Sequence, residues 1–151
     1  MRTTLFSKAG LFCTAMIFLL LSGVSARAAA GDLKLEAQLI LGSDDAKSKN
    51  GLKPVASDIE KKLKKLPLKW SHYYVISAKS FTVAKGDAKK AALSKQCQIS
   101  VKNLGDQRVE LTLASNGQNI GNITQSLHKG QTLVAGGDAD NTIVVLRQAD
   151  K

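Results

Sequence analysis

Residues 97–117, which read CQISVKNLGDQRVELTLASNG, decide the fold prediction. Apolar and polar side chains alternate there in two runs, with apolar residues at Cys97, Ile99 and Val101, then at Val109, Leu111 and Leu113. Alternation with a period of two is typical of a strand buried on one face. Asn116-Gly117 follows, and this pair favours a tight hairpin because both residues tolerate a positive φ. The stretch therefore predicts two antiparallel strands, and a third after the hairpin.

Other strands are predicted on both sides of this stretch, at residues 33–41, 70–76, 81–83, 120–127, 131–135 and 143–146. The first alternates, with Leu33, Leu35, Ala37, Leu39 and Leu41 on one face. In 70–76, one face carries Trp70, His72, Tyr74 and Ile76, and the other carries Tyr73 and Val75. The run from Ile143 to Leu146 is continuously apolar, as in a strand covered on both faces.

A single helix is predicted over residues 54–66. Pro54 opens it, Ser57 or Asp58 is a candidate cap, and Pro67 blocks its continuation. Ile59, Leu63 and Leu66 form one apolar stripe. Because strands and helices do not alternate, a parallel sheet is not expected. We predict an α+β fold, a mostly antiparallel sheet or small sandwich of about seven or eight strands with one packed amphipathic helix.

The first thirty residues have the order of a bacterial export signal. Arg2 and Lys8 are followed by an uncharged stretch over 9–26 and by small residues at 25–30. This order predicts a cleavable signal peptide, cut after Ala28 or Ala30, with an uncleaved anchor as the alternative. We expect residues 31–151 to form one basic domain, periplasmic or secreted, without a stable membrane span after cleavage.

The charge and the cysteines narrow the expected partners. The chain has a net charge of +10, and removing three basic residues with the signal leaves 19 basic and 12 acidic residues. Such a surplus attracts anions, and outside the cytoplasm these are envelope proteins or anionic envelope polymers, not nucleic acid. Cys97 would be the only cysteine left and alternates with apolar residues, which predicts packing and no internal disulfide. The oligomeric state stays open.

Catalytic and metal-binding patterns are sparse. His72 and His128 have no Cys, His, Asp or Glu at zinc-ligand spacing, and no metal or cofactor is expected. Residues 136–141 include Asp138 and Asp140, but Ala149 stands where a calcium loop needs glutamate, which favours a polar turn. A small hydrolase with a non-contiguous site that includes one histidine is the alternative function.

A basic, aromatic segment is the best candidate for a binding surface. It contains Lys61, Lys62, Lys64, Lys65, Lys69 and Trp70. Lysines opposite an apolar stripe are also an ordinary solvated helix face. An anionic surface and aromatic stacking are the two kinds of binding that the segment favours.

The chain resembles uncharacterised small exported bacterial β-rich proteins in its opening strand, the Leu52-Lys53-Pro54 entry to a basic helix, and Trp70 to Tyr74. Residues 129–137, KGQTLVAGG, are similar to the glycine-closed strand of secretin-type envelope domains. The resemblance implies an envelope-associated role. We expect a non-enzymatic periplasmic or envelope module that binds another macromolecule through a sheet edge or the lysine-bearing helix, as an accessory to an envelope or secretion assembly.

Overall fold

The computed structural model describes residues 31–47, 51–137, 139 and 141–149. The predicted signal peptide lies outside the described residues. Those residues form one helix, α1 (Ser57–Leu63), and nine strands: β1 (Leu33–Ser43), β2 (Lys53–Pro54), β3 (His72–Val83), β4 (Ala88–Ala92), β5 (Cys97–Gly105), β6 (Arg108–Ser115), β7 (Gln118–Ser126), β8 (Thr132–Gly136) and β9 (Thr142–Gln148).

The strands form two sheets, and every strand pair is antiparallel. The first sheet has the order β2-β3-β1-β9-β8, and the second has the order β4-β5-β6-β7. The predicted α+β fold, a mostly antiparallel β structure with one helix, is confirmed. The strand number differs because 70–76 and 81–83 belong to one strand, and because β2 and β4 were not predicted.

The main core lies between the two sheets. The first sheet contributes apolar side chains from β1, β3, β8 and β9, and the second contributes those of β5 and β6 that alternate in the sequence. Cys97, Ile99, Val101, Val109, Leu111 and Leu113 are all buried, as predicted. A fully buried leucine or valine stabilises the fold by about 1.5–3 kcal/mol, so this layer supplies most of the driving force for folding.

Helix α1 covers the opposite face of the first sheet. Ile59 and Leu63 are buried there against Ile40, Tyr73 and Val145. Since both faces of β9 are covered, residues 142–146 are all buried, which explains their continuous apolar character. The molecule is thus layered as helix, sheet, sheet.

The helix is shorter than predicted. Pro54 lies in β2, paired with Tyr74, and Ala56 is the N-cap without a side-chain hydrogen bond, so neither Ser57 nor Asp58 caps the helix. At the other end, Leu66 donates its N–H to Leu63 in a tight turn before Pro67. The prediction that Leu66 continues the apolar stripe was wrong, because its side chain is 39% exposed.

A bulge between β1 and β3 changes the predicted faces. Leu39 pairs with Ser77 and Ile40 pairs with Val75, so Ile76 is the extra residue and is 37% exposed. The strand starts only at His72, and Trp70 packs on the helix side with Tyr73. The prediction that one strand face carries Trp70, His72, Tyr74 and Ile76 was therefore wrong, because Trp70 precedes the strand and the alternation changes at Ile76.

Two-residue hairpins join β5 to β6 and β6 to β7. Asn116 and Gly117 both have positive φ, at 50° and 79°, as the hairpin prediction requires. Asp106 and Gln107 form the turn before β6, with φ of 51° and 59°. These two residues lie between the end of β5 at Gly105 and the start of β6 at Arg108.

Candidate functional site

An apolar groove lies on the helix side of the first sheet and has a volume of about 710 Å³. One wall is the segment after α1, with Leu66, Pro67, Leu68 and Trp70, and the other wall is β8 with the start of β9. We call this the β8 groove. Because β8 is last in the strand order, its outer side has no partner strand among the described residues. The groove therefore runs beside an open sheet edge.

Lys62 connects α1 to the start of β8. Its Nζ donates to the carbonyl oxygen of Gly130 at 2.5 Å and to Oγ1 of Thr132, the first residue of β8, at 2.9 Å. The contact spans about seventy residues of sequence and fixes α1 relative to the edge strand. A charged donor to two oxygens is stronger than a neutral hydrogen bond.

Trp70 is positioned by a glycine. A Cβ added at Gly42 would lie 2.4 Å from Cδ2 of Trp70, so the indole packs directly on the β1 backbone. Tyr73 donates its hydroxyl to the Trp70 carbonyl at 3.0 Å, which holds the backbone at the same point. Lys69 Nζ lies 5.7 Å from the centre of the indole ring, within cation–π range.

The far end of the groove is shaped by the β8–β9 turn. Oγ1 of Thr142 accepts from the Ala139 N–H and donates to the Ala139 carbonyl, both at 2.9 Å. A Cβ at Gly137 would lie 2.2 Å from the same oxygen, so only glycine fits beside it. Residues 136–141 were predicted to form a polar turn, and the described part does so. Asp138 and Asp140 lie outside the described residues.

The predicted lysine surface divides into three groups. Lys62 is half-buried and held by β8, whereas Lys64 pairs with Glu60 at 2.8 Å across one helical turn. Lys61, Lys65 and Lys69 are exposed, and Lys65 and Lys69 are next in sequence to groove residues. Of the predicted binding residues, Trp70 thus lines the groove, Lys65 and Lys69 adjoin lining residues in the sequence, and Lys62 links α1 to β8.

Arg147 fixes the start of the helix. Its guanidinium donates to Oε2 of Glu36 at 3.0 and 3.2 Å and to Oδ2 of Asp58 at 3.1 Å. Arg147 and Glu36 are only 22% and 20% exposed, so this pair is less screened than a surface pair. The contact ties β9, β1 and α1 together and, with Lys62, sets the position of the helix.

Two ionisable side chains, one in α1 and one in β3, have pKa values that are shifted by their surroundings. The hydrogen bond and the charge of Lys64 lower the pKa of the Glu60 carboxyl, which keeps the pair ionised at neutral pH. Burial raises the pKa of the Tyr73 phenol above its ordinary value of about 10. Tyr73 is therefore the hydrogen-bond donor to Trp70 over the whole neutral range.

The two histidines lie in separate depressions. His128 lines one of about 720 Å³ at the end of the sandwich, and its Nδ1 lies 2.5 Å from Oε1 of Gln107. His72 lines a smaller one of about 290 Å³ with Glu60 and Tyr74. Neither depression has a serine, threonine or cysteine among its described lining residues.

Other sequence features belong to the core or to the surface. Cys97 is fully buried between the sheets. No group of three His, Cys, Asp or Glu side chains within the described ranges is placed to hold a metal ion. Among the residues that the structure describes, no helix has both the length and the apolar character needed to cross a membrane.

The groove itself was not predicted. Leu66 was assigned to the apolar stripe of the helix, while Val134 and Gly137 were assigned to a strand and the turn after it and not to a groove. The signal that could have revealed the groove is Leu66-Pro67-Leu68, an apolar run that must leave the helix because Pro67 ends it. Residues 132–136, on the opposite wall, were predicted only as a strand.

Searches of protein-family models, of curated protein sequences and of solved structures found no match to this chain.

Proposed function

We propose that this protein is an exported, non-enzymatic binding module that captures an extended segment of another envelope protein along β8. The observation that carries the proposal is an apolar groove of about 710 Å³ beside an open sheet edge. An extended peptide that joins such an edge gains main-chain hydrogen bonds, and its alternate side chains enter the neighbouring pocket.

The side chains on β8 suit this mode. Leu133 and Ala135 are buried in the sandwich core, while Thr132, Val134 and Gly136 alternate with them toward the groove. Val134 is half-buried against the helix-side cluster, and Gly136 has no atom within 4 Å of its Cβ position. A partner side chain thus has an apolar floor and open space at the end of the strand.

The charge next to the groove indicates the partner's chemistry. Lys65 adjoins Leu66, and Lys69 lies beside the Trp70 ring, while the described groove residues carry no charge. We expect the bound segment to place an apolar residue in the groove and an acidic residue close to Lys65 or Lys69. A lysine is well suited to such a solvated point-charge contact.

Peptide selection tests the proposal. Random nonapeptides displayed on phage are panned against the purified protein. We expect enrichment of peptides that bind in an extended conformation and have an apolar residue beside an acidic one. Leu66→Asp should abolish enrichment, because it places a charge in the groove at a side chain that is already 39% exposed.

Leu104→Asp is the matched control, since Leu104 is 38% exposed and lies in β5, in the other sheet. It should retain the wild-type enrichment. If no peptide is enriched, or if both variants behave alike, the groove is not the binding surface.

A further inference from the structure

The second sheet ends in an unusual edge strand. β7, Gln118–Ser126, is nine residues long and contains neither a charged residue nor proline. In a chain with 23% charged residues, its nine residues are four amides, two hydroxyl residues, one glycine and two isoleucines. Such an edge presents unpaired backbone groups without the features that usually prevent pairing.

β7 is one of the four edge strands of the two sheets. The three other edges differ from it. β2 has two residues, β8 has five, and β4 has five with Lys89 and Lys90 among them. Short length and lysines are the usual protection of an edge, and β7 has neither.

One protective feature is present in β7, at its beginning. Leu113 pairs with Gly121 and Ala114 pairs with Asn119, so Ile120 bulges out and is 51% exposed. The Asn119 side chain accepts the Gly121 N–H at 3.0 Å, which satisfies one backbone donor beside the bulge. Beyond it, the strand pairs regularly with β6 as far as Ser126, so the second half of β7 is the part open to a new strand.

We propose that β7 is a self-association edge, on which a second copy of this chain pairs in antiparallel orientation about a two-fold axis. The choice of a second copy rests on charge. Two copies of a chain with a net charge of +10 repel each other at most approaches, but an uncharged strand brings no like charges into the pairing line. Amide and hydroxyl side chains also hydrogen-bond to their own kind, as a two-fold interface requires.

Pairing in this way joins two four-stranded sheets into one of eight strands. β7 contributes none of the residues that line the β8 groove, and the two edge strands belong to different sheets. The inference is therefore independent of the proposed function, and either can fail without the other.

Sedimentation equilibrium tests the inference on protein purified from cells that express the full 151-residue sequence. We expect a reversible monomer–dimer equilibrium. Thr124→Lys brings two lysines together across the axis and should weaken the dimer by roughly tenfold or more. Ala92→Lys, an exposed position on the opposite edge strand β4, adds the same charge and should leave the dimer unchanged.

Cross-linking keeps the test decisive if Thr124→Lys does not fold. Thr124→Cys, a smaller change at the position on the axis, should form an interchain disulfide under mild oxidation, and Ala92→Cys should not. A wild-type protein that stays monomeric, a dimer unaffected by Thr124→Lys in folded protein, equal cross-linking of both cysteine variants, or open-ended oligomers would each overturn the inference.

Discussion

The Nζ of Lys62 lies 2.9 Å from Oγ1 of Thr132 and 2.5 Å from the carbonyl oxygen of Gly130. The sequence predicts that Lys62 belongs to a charged surface. In the structure it links α1 to β8, the edge strand that forms one wall of the β8 groove. Its neighbours Lys61 and Lys65 are exposed, so the same short basic run serves both structure and surface.

Replacing Lys62 tests this link. Lys62→Met keeps the length of the side chain but removes the ammonium, and should lower the free energy of unfolding by about 1–2 kcal/mol, as for hydrogen bonds to a charged group near the surface. Urea denaturation measures the change. Lys61→Met, on the same helix, is the control and should stay within about 0.5 kcal/mol of wild type. Equal effects of the two variants would show that the Lys62 contacts do not stabilise the fold.

Arg147 gives a second stability prediction. Arg147→Met leaves the carboxylate of Glu36, which is only 20% exposed, without its guanidinium, and should cost about 2 kcal/mol. Lys64→Met breaks the more exposed pair with Glu60 and should cost much less, because solvent screens a surface pair. Chemical denaturation of both variants at moderate salt checks the ranking, and a larger loss from Lys64→Met would contradict it.

The Gly42–Trp70 contact predicts a spectroscopic change. Gly42→Ala places a methyl group where the indole lies, and should destabilise the protein by about 1–3 kcal/mol, the usual cost of overpacking. Because Trp70 is the single tryptophan, its fluorescence should shift toward that of a more solvated indole. Gly121→Ala is the control, since nothing lies within 4 Å of its Cβ position. An unchanged emission spectrum of Gly42→Ala would refute the contact.

Tyr73 predicts how stability depends on alkaline pH. Because burial raises its pKa in the folded state, its contribution is fully present below about pH 10 and is lost as pH rises through the folded-state pKa. Tyr73→Phe should cost about 1 kcal/mol at neutral pH through the lost bond to Trp70, and should reduce the loss of stability above pH 10. Thermal melts from pH 8 to about pH 11 measure the difference.

Tyr74→Phe is the control for this experiment. It removes a hydroxyl that donates to the backbone carbonyl oxygen of Asp45 at 3.0 Å, but it keeps Tyr73. The loss of stability above pH 10 should therefore persist. The interpretation fails if Tyr73→Phe loses stability above pH 10 as steeply as wild type.

The fold was predictable where local pattern and burial agree. Ile99, Val101, Leu111 and Leu113 alternate in the sequence and are buried, and Asn116-Gly117 turns the chain as its φ preference requires. It was less predictable where pairing overrides pattern. β4, Ala88–Ala92, has little β propensity and is a strand because it pairs with β5. In β3, the extra residue Ile76 reverses the alternation of buried and exposed side chains.

The candidate site was predictable only in part. The segment with Lys65, Lys69 and Trp70 was identified from its charge and aromatic character, and it does lie next to the β8 groove. The role of Lys62 depends on an oxygen 70 positions away, and the exposure of Leu66 depends on where α1 ends. Both are tertiary facts that periodicity within the helix does not contain.

Amide hydrogen exchange on the bound protein tests the central claim most directly. With a nonapeptide enriched by panning present in excess, peptide-resolved mass spectrometry should show slower exchange in β8, Thr132–Gly136, because its open edge gains hydrogen bonds. The two edges of the second sheet, β4 and β7, should be unaffected by the peptide. If β8 exchanges at the same rate with and without bound peptide, while the exposed face of α1 or another edge becomes protected, then recognition along β8 is wrong.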